Sequence, residues 1–209
     1  MTDYLAVPRT TEATGAVGVS RAAAARISKP AAWWGMVILV ASEATLFGAF
    51  IGTYFYLRFR TTPWPPAGVP KPALVVPLIL LAVLVATTFP MRAASRAAQA
   101  GRLRATCFFI AVVLVVEAGY FAYEVHDFAD QIHKVDITRN AYTSIYYTLL
   151  GADHAHVLIA ALFNLWLLAK LARGFTTYRL NAVQAITFYV LAVNVLTIVV
   201  FGTLLSARA

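Results

Sequence analysis

The chain has 209 residues, of which 61% are hydrophobic and only 12% charged, about half the charged share of an ordinary soluble domain. That balance excludes a water-soluble globular protein and points to an integral membrane protein with one compact bundle. The formal net charge of +8 is no nucleic-acid signature here, because membrane proteins gather Lys and Arg on one side of the bilayer.

Residues 1–30 are rich in Ala, Thr and Arg and lack the apolar core of a signal peptide. They are expected to form a mostly disordered cytoplasmic tail, with a short helix at Arg21–Ile27. A spanning helix needs about 20 mostly apolar residues, and five stretches qualify, near 33–57, 72–91, 104–124, 145–171 and 182–206. The predicted fold is therefore all-α, a polytopic bundle of five transmembrane helices forming a single domain over residues 31–209. Placing the N-terminus inside puts eleven Lys and Arg in the cytoplasm and six outside, the side preference that membrane insertion follows.

The first segment carries Glu43 ten residues beyond Trp33, about 15 Å along a helix axis. That is close to mid-bilayer if Trp33 marks the inner interface. Burial in hydrocarbon disfavours the ionised form, so a neutral, hydrogen-bonded acid is the expected state. Two readings stand side by side: a proton-linked or conformationally sensitive acid, and polar glue between helices, bonded to a Tyr, Ser or His. The linker that follows, with Pro63, Pro65, Pro66 and Pro70, cannot be helical because its prolines remove donors and fix φ. In the second segment, Pro77 and Pro90 lie near the ends, where they are tolerated.

The third segment opens at the single Cys107, read as a small buried hydrophobe. It then places Glu117 and Glu124 on one helical face, seven residues apart. Glu117 lies deep and needs a partner, most simply an interhelical one. Glu124 lies near the outer interface and reads as a wetted residue. Beyond it, His126, Asp130 and His133 share a face if that helix extends past the membrane. A solvated face is the plainer reading of them, and a metal site the minority one.

On the fourth segment, Asp153-His154-Ala155-His156 suggests metal ligation. Residues two apart on a helix point roughly 200° apart, so His154 and His156 cannot grip one ion together. One faces the bundle while the other meets lipid headgroups or an adjoining helix. No Ser/His/Asp set, phosphate-cradling loop or CxxC is present.

The wording around these residues resembles subunit III of the haem–copper cytochrome oxidases in its short five-helix bacterial form. The first segment and linker carry it in Gly35-Met36, Ser42-Glu43, Phe47, Tyr54-Phe55-Tyr56 and Trp64-Pro65-Pro66. The third carries Phe121-Ala122-Tyr123-Glu124, with Phe121 where the family writes Gln. The fourth runs from Tyr142 and Ser144 through Tyr146-Tyr147 and Gly151 to His156-Val157. There the family writes Gly-x-His-Gly-x-His-Val, and His154 sits one position off the first His. The fifth departs: Leu191 and Asn194 stand where the family has a His and an acid.

The resemblance implies an accessory subunit of a bacterial terminal oxidase that reduces O2 to water and pumps protons. Such a subunit has no redox centre or metal of its own. Haem and copper belong to the partner subunit I, with cytochrome c the expected donor and the bacterial plasma membrane the expected location. Family members pack on subunit I and other oxidase subunits, at times within a respiratory supercomplex. They hold phospholipid in a cleft, support proton uptake and protect subunit I during turnover. Carried over, Glu43 matches the family's buried glutamate, and His156 and His154 its cleft-side histidines. Arg58, at the outer end of the first helix, is placed by its charge to meet a lipid phosphate. The alternatives are the equivalent subunit of a quinol oxidase or nitric-oxide reductase, a small proton-coupled transporter using Glu43 and Glu117, and a metal-binding membrane protein using His126, Asp130 and His133.

Overall fold

A computed structural model describes residues 30–69, 74–134, 137–174 and 176–208. The expected tail over residues 1–29, with its short helix at 21–27, lies outside the described residues. The described elements are α1 (Ala31–Arg60), α2 (Val75–Ala86), α3 (Thr88–Gln99), α4 (Leu103–Lys134), α5 (Ala141–Leu171), α6 (Thr177–Leu205) and a closing 3-10 turn (Ser206–Arg208). Counting α2 and α3 as one interrupted span, five helices are long and apolar enough to cross a membrane. The fold is the expected all-helical bundle of a multi-pass membrane protein.

The ends of the helices follow local chemistry. Residues 61–69 are non-helical, as the linker prolines require, and Gly68 there takes φ +82°, a conformation that disfavours any side chain. Asn140 caps α5: its side chain accepts from the Thr143 N–H at 2.9 Å, and the Thr143 hydroxyl accepts from the Asn140 N–H at 3.3 Å. The reciprocal pair satisfies two otherwise orphaned donors. Thr176 caps α6 by accepting from the Arg179 N–H at 3.3 Å.

Two expected boundaries move. The second span, expected to end near residue 91, breaks at Thr87 and runs on as α3 to Gln99, so Pro90 lies inside it and not near its end. Pro90 has no N–H to give the carbonyl one turn back, which loosens the ladder there. At the break the Thr87 hydroxyl donates to the Leu84 carbonyl at 2.6 Å. Asn194 of α6 then donates to the hydroxyls of both Thr87 and Thr88 at 3.1 Å. The third segment, expected to end near residue 124, continues as α4 to Lys134.

The long helices α5 and α6 form the middle of the bundle, with α1 against both of them, α4 and α3 packed together, α4 against α5, and α3 against α6. Only Glu43, Phe47 and Tyr54 of α1 are buried, at four- and seven-residue intervals that make one stripe. Apolar packing falls into two clusters. One holds Leu84, Met91, Ile110, Val157, Leu167 and Tyr189, the other Phe47, Tyr54, Tyr142, Leu149, Val200 and Phe201. Along α5 the clusters meet between Leu150 and Val157, and along α6 between Val193 and Val200. The polar residues in those intervals are Asp153, His154 and His156 on α5 and Asn194 and Thr197 on α6. A polar layer therefore separates two apolar ones.

Candidate functional site: a buried layer of acids and imidazoles

Glu43 reaches this layer from α1, 8% exposed. Its Oε1 accepts a hydrogen bond from the Tyr189 hydroxyl of α6 at 3.1 Å. His156 Nε2 stands 3.7 Å from the same oxygen, within reach of an ion pair but beyond a hydrogen bond. The other imidazole nitrogen, Nδ1, lies 2.6 Å from the Ala152 carbonyl. A carbonyl only accepts, so Nδ1 carries a proton and donates it to Ala152. The Phe47 ring lies edge-on to this imidazole, centroids 4.9 Å apart, and holds its plane.

On the opposite side of α5, His154 Nε2 meets Glu124 Oε2 of α4 at 2.9 Å, with both side chains buried. Burial corrects the expectation that Glu124 is wetted: α4 runs a further ten residues past it, so the carboxyl lies inside the bundle instead of at a helix end. The two histidines do diverge as residues two apart must. Both nevertheless point inward, because α5 is central, with α4 on one flank and α1 on the other. His156 thus meets an adjoining helix and not the headgroups.

Glu117 finds the interhelical partner its depth demands. Asn164 of α5 donates from Nδ2 to Glu117 Oε2 at 2.8 Å, and both are almost wholly buried. Arg58 donates from Nη1 to the Ser206 hydroxyl at 2.8 Å, tying the C-terminal end of α1 to that of α6. Cys107 is a free thiol, half-buried. His126 and Asp130 face each other at 3.7 Å on the extended α4, with side chains 79% and 55% exposed. That matches a solvated face, while the side chain of His133 lies outside the described residues. Among the described residues no three His, Cys, Asp or Glu side chains converge as metal ligands.

Several buried polar residues in or beside the layer were not singled out from the sequence: Tyr120, Asn164, Tyr189 and Thr197, and Asp153 beyond its place in the metal-like motif. Asp153 is 1% exposed, and neither carboxyl oxygen has a hydrogen-bond partner. The available signal was an aspartate three residues before His156 in a helix otherwise apolar enough to span. The signal for Tyr120 was its place between Glu117 and Glu124 on one face of α4. Tyr189 and Asn164 gave none, since a lone Tyr or Asn in an apolar helix has many possible neighbours.

Fold and site together define a multi-pass helical membrane protein built around buried carboxyl–imidazole pairs, with no ligand cluster among its described residues. No family model matches the chain. Among curated proteins it is similar to cytochrome c oxidase subunit 3 of Bacillus sp. (strain PS3), at 22% identity over 171 residues, 80% of this chain and 81% of that protein. It is also similar to quinol oxidase subunit 3 of Bacillus subtilis (strain 168), at 25% over 172 residues, 80% and 82% of the two chains. Probable cytochrome c oxidase subunit 3 of Nocardia farcinica (strain IFM 10152) shares 28% over 178 residues, 83% and 87% of the two. The resemblance to the subunit III family of the oxidases, first visible in motifs, therefore extends over most of the chain.

Proposed function

We propose that this protein is an accessory subunit III of a bacterial haem–copper terminal oxidase, carrying no redox centre itself and seated in the plasma membrane with its N-terminus in the cytoplasm. The observation that carries the reading is the likeness to oxidase subunits 3 over about four fifths of the chain. The geometry supports it: Glu43, Glu117 and Glu124 make contacts between helices, and the outward faces of α1, α2 and α4 present Ile38, Leu46, Ile79, Phe108 and Val115 to lipid or to a neighbouring subunit. In this role the chain packs on subunit I, where the haems and copper reside, holds phospholipid, supports proton uptake and extends the working life of subunit I. Arg58 keeps N–H groups beyond its bond to Ser206 and contacts a lipid phosphate at the outer surface. Larger assemblies with other respiratory complexes follow from the same membrane exposure.

Cytochrome c is the proposed donor. A quinol-oxidase assignment is the second reading, supported by the Bacillus subtilis relative. Affinity purification through this chain from mildly solubilised membranes, with a reduced-minus-oxidised spectrum and mass spectrometry of the co-purifying chains, tests the proposal. Haem bands together with a large multi-spanning subunit are expected, and the partner set names the donor. A chain that purifies alone and without haem absorbance would refute it and favour a proton-coupled transporter.

A further inference from the structure

The two ends of the bundle differ in charge. At one end α3 turns into α4 and α5 into α6. Four Lys and Arg fall there between residues 88 and 104 and three between 170 and 179, with no Asp or Glu in either stretch. At the other end Arg58, Arg60 and Arg139 stand with Asp127 and Asp130. Membrane insertion favours cations on one side, which accounts for those in the turns. It does not account for Arg92 and Arg96. Both lie within the span Val75–Gln99 and both are exposed, and a charge on the outward side of a span is costly unless something pairs it. Among the described residues the carboxylate pairs are those of His126, His154 and His156, so neither arginine has one. The 29 residues ahead of α1 carry four Lys and Arg against two acids and bring no net counter-charge.

α3 and α4 pack together and neither touches α1, so their outward faces share one side of the bundle. On α3, Phe89, Arg92 and Arg96 follow at three and seven residues, which makes one face. On α4, Arg104 and Phe108 stand four apart. The two rings are 76% and 63% exposed. Each lies deeper in the bilayer than its arginines, Phe89 about 10 Å inward of Arg96 and Phe108 about 6 Å inward of Arg104 at helical rise. Cations outside and apolar rings inside match a headgroup above its acyl chains. A water-borne acidic protein would have to enter the bilayer to meet Phe89. We propose that Phe89, Arg92 and Arg96 of α3 with Arg104 and Phe108 of α4 form a binding site for an anionic phospholipid. The guanidinium groups hold the phosphate, whose oxygens accept their paired N–H groups, and the rings hold the upper part of the chains. This site lies at the end of the bundle opposite Arg58. It rests on the chain's passage through a membrane and not on the oxidase reading.

Native mass spectrometry reads it, on the protein purified in mild detergent with whatever chains accompany it and titrated with dioleoyl phosphatidylglycerol. That lipid is expected to bind more tightly than phosphatidylcholine with the same chains. Arg92→Gln combined with Arg96→Gln is expected to weaken it about twenty- to thirty-fold, the worth of two cations near a membrane phosphate. Arg173→Gln, at the same end but off α3 and α4, is expected to leave it unchanged. Equal affinity for the two lipids, or an equal loss in Arg173→Gln, would overturn the inference. Displacement of the lipid by inorganic phosphate would make the ligand a free anion and overturn it as well. A photoreactive phosphatidylglycerol on the unsubstituted protein is expected to label peptides within residues 89–108, and labelling confined to other segments or to an accompanying chain would contradict the site. That arm decides the matter even if the double variant fails to accumulate. Neither arm needs oxidase activity, so failure here is distinct from failure of the oxidase reading.

Discussion

Glu124 and His154 close to 2.9 Å, whereas Glu43 and His156 stop at 3.7 Å, although the four side chains lie in one layer of the bundle. The difference lies in the helices that deliver them. Glu124 comes from α4, which packs along both α3 and α5, so its carboxyl is brought to the imidazole by extensive apolar contact. Glu43 comes from α1, attached by the single stripe of Glu43, Phe47 and Tyr54. His156 cannot swing across to meet it, because Nδ1 is anchored on the Ala152 carbonyl and the ring is held by Phe47. The Tyr189 hydroxyl makes the hydrogen bond instead. One pair is thus a fixed interhelical contact, and the other stays open to rearrangement when α1 shifts or a neighbour packs on it.

The comparison sets an order of effects. Glu124→Ala leaves His154 buried beside an empty partner position and is expected to cost about 3–5 kcal/mol, the range for breaking a buried pair from one side. Equilibrium unfolding in detergent measures it. Glu43→Ala removes one neutral-length hydrogen bond and a distant imidazole, so about 1–3 kcal/mol is expected, together with weaker association of partner chains on blue-native gels. Glu43→Gln keeps a hydrogen-bonding isostere and is expected to leave both fold and association intact. Equal losses for Glu124→Ala and Glu43→Ala would erase the distinction between the pairs.

Smaller effects sharpen it. Asn140→Ala removes the cap that starts α5 and is expected to cost about 1 kcal/mol, read as earlier hydrogen exchange in the first turn of that helix. A double-mutant cycle on Glu117→Gln and Asn164→Leu is expected to give a coupling near ~0.6 kcal/mol, the mean for hydrogen bonds between membrane helices. A coupling of several kcal/mol would mean that the Glu117 contact belongs with the charged pairs and not with neutral helix glue.

The span count was legible because apolar length is a property of the chain itself. The linker over residues 61–69 was equally plain from its prolines. The break at Thr87 was only half so: Pro90 was visible, but the hydrogen bond that meets Thr87 comes from Asn194 of α6, 107 positions away. Among the site residues, Glu43 and Glu117 were legible as buried acids because charge in an apolar segment is conspicuous. Glu124 was misjudged, since its burial depends on α4 continuing to Lys134, and polar residues after position 124 mask that continuation. Asp153 was overlooked because its neighbours His154 and His156 drew a metal-ligand reading of the same motif. Which face of α5 each residue takes becomes fixed only once α1 and α4 are in place.

The most direct test of the accessory role is oxygen consumption by the purified complex before and after this chain is stripped from it. The account predicts an unchanged haem spectrum and initial rate, followed by faster loss of activity over repeated turnovers. Immediate loss of activity with loss of haem bands, or an equally long working life without the chain, would contradict it.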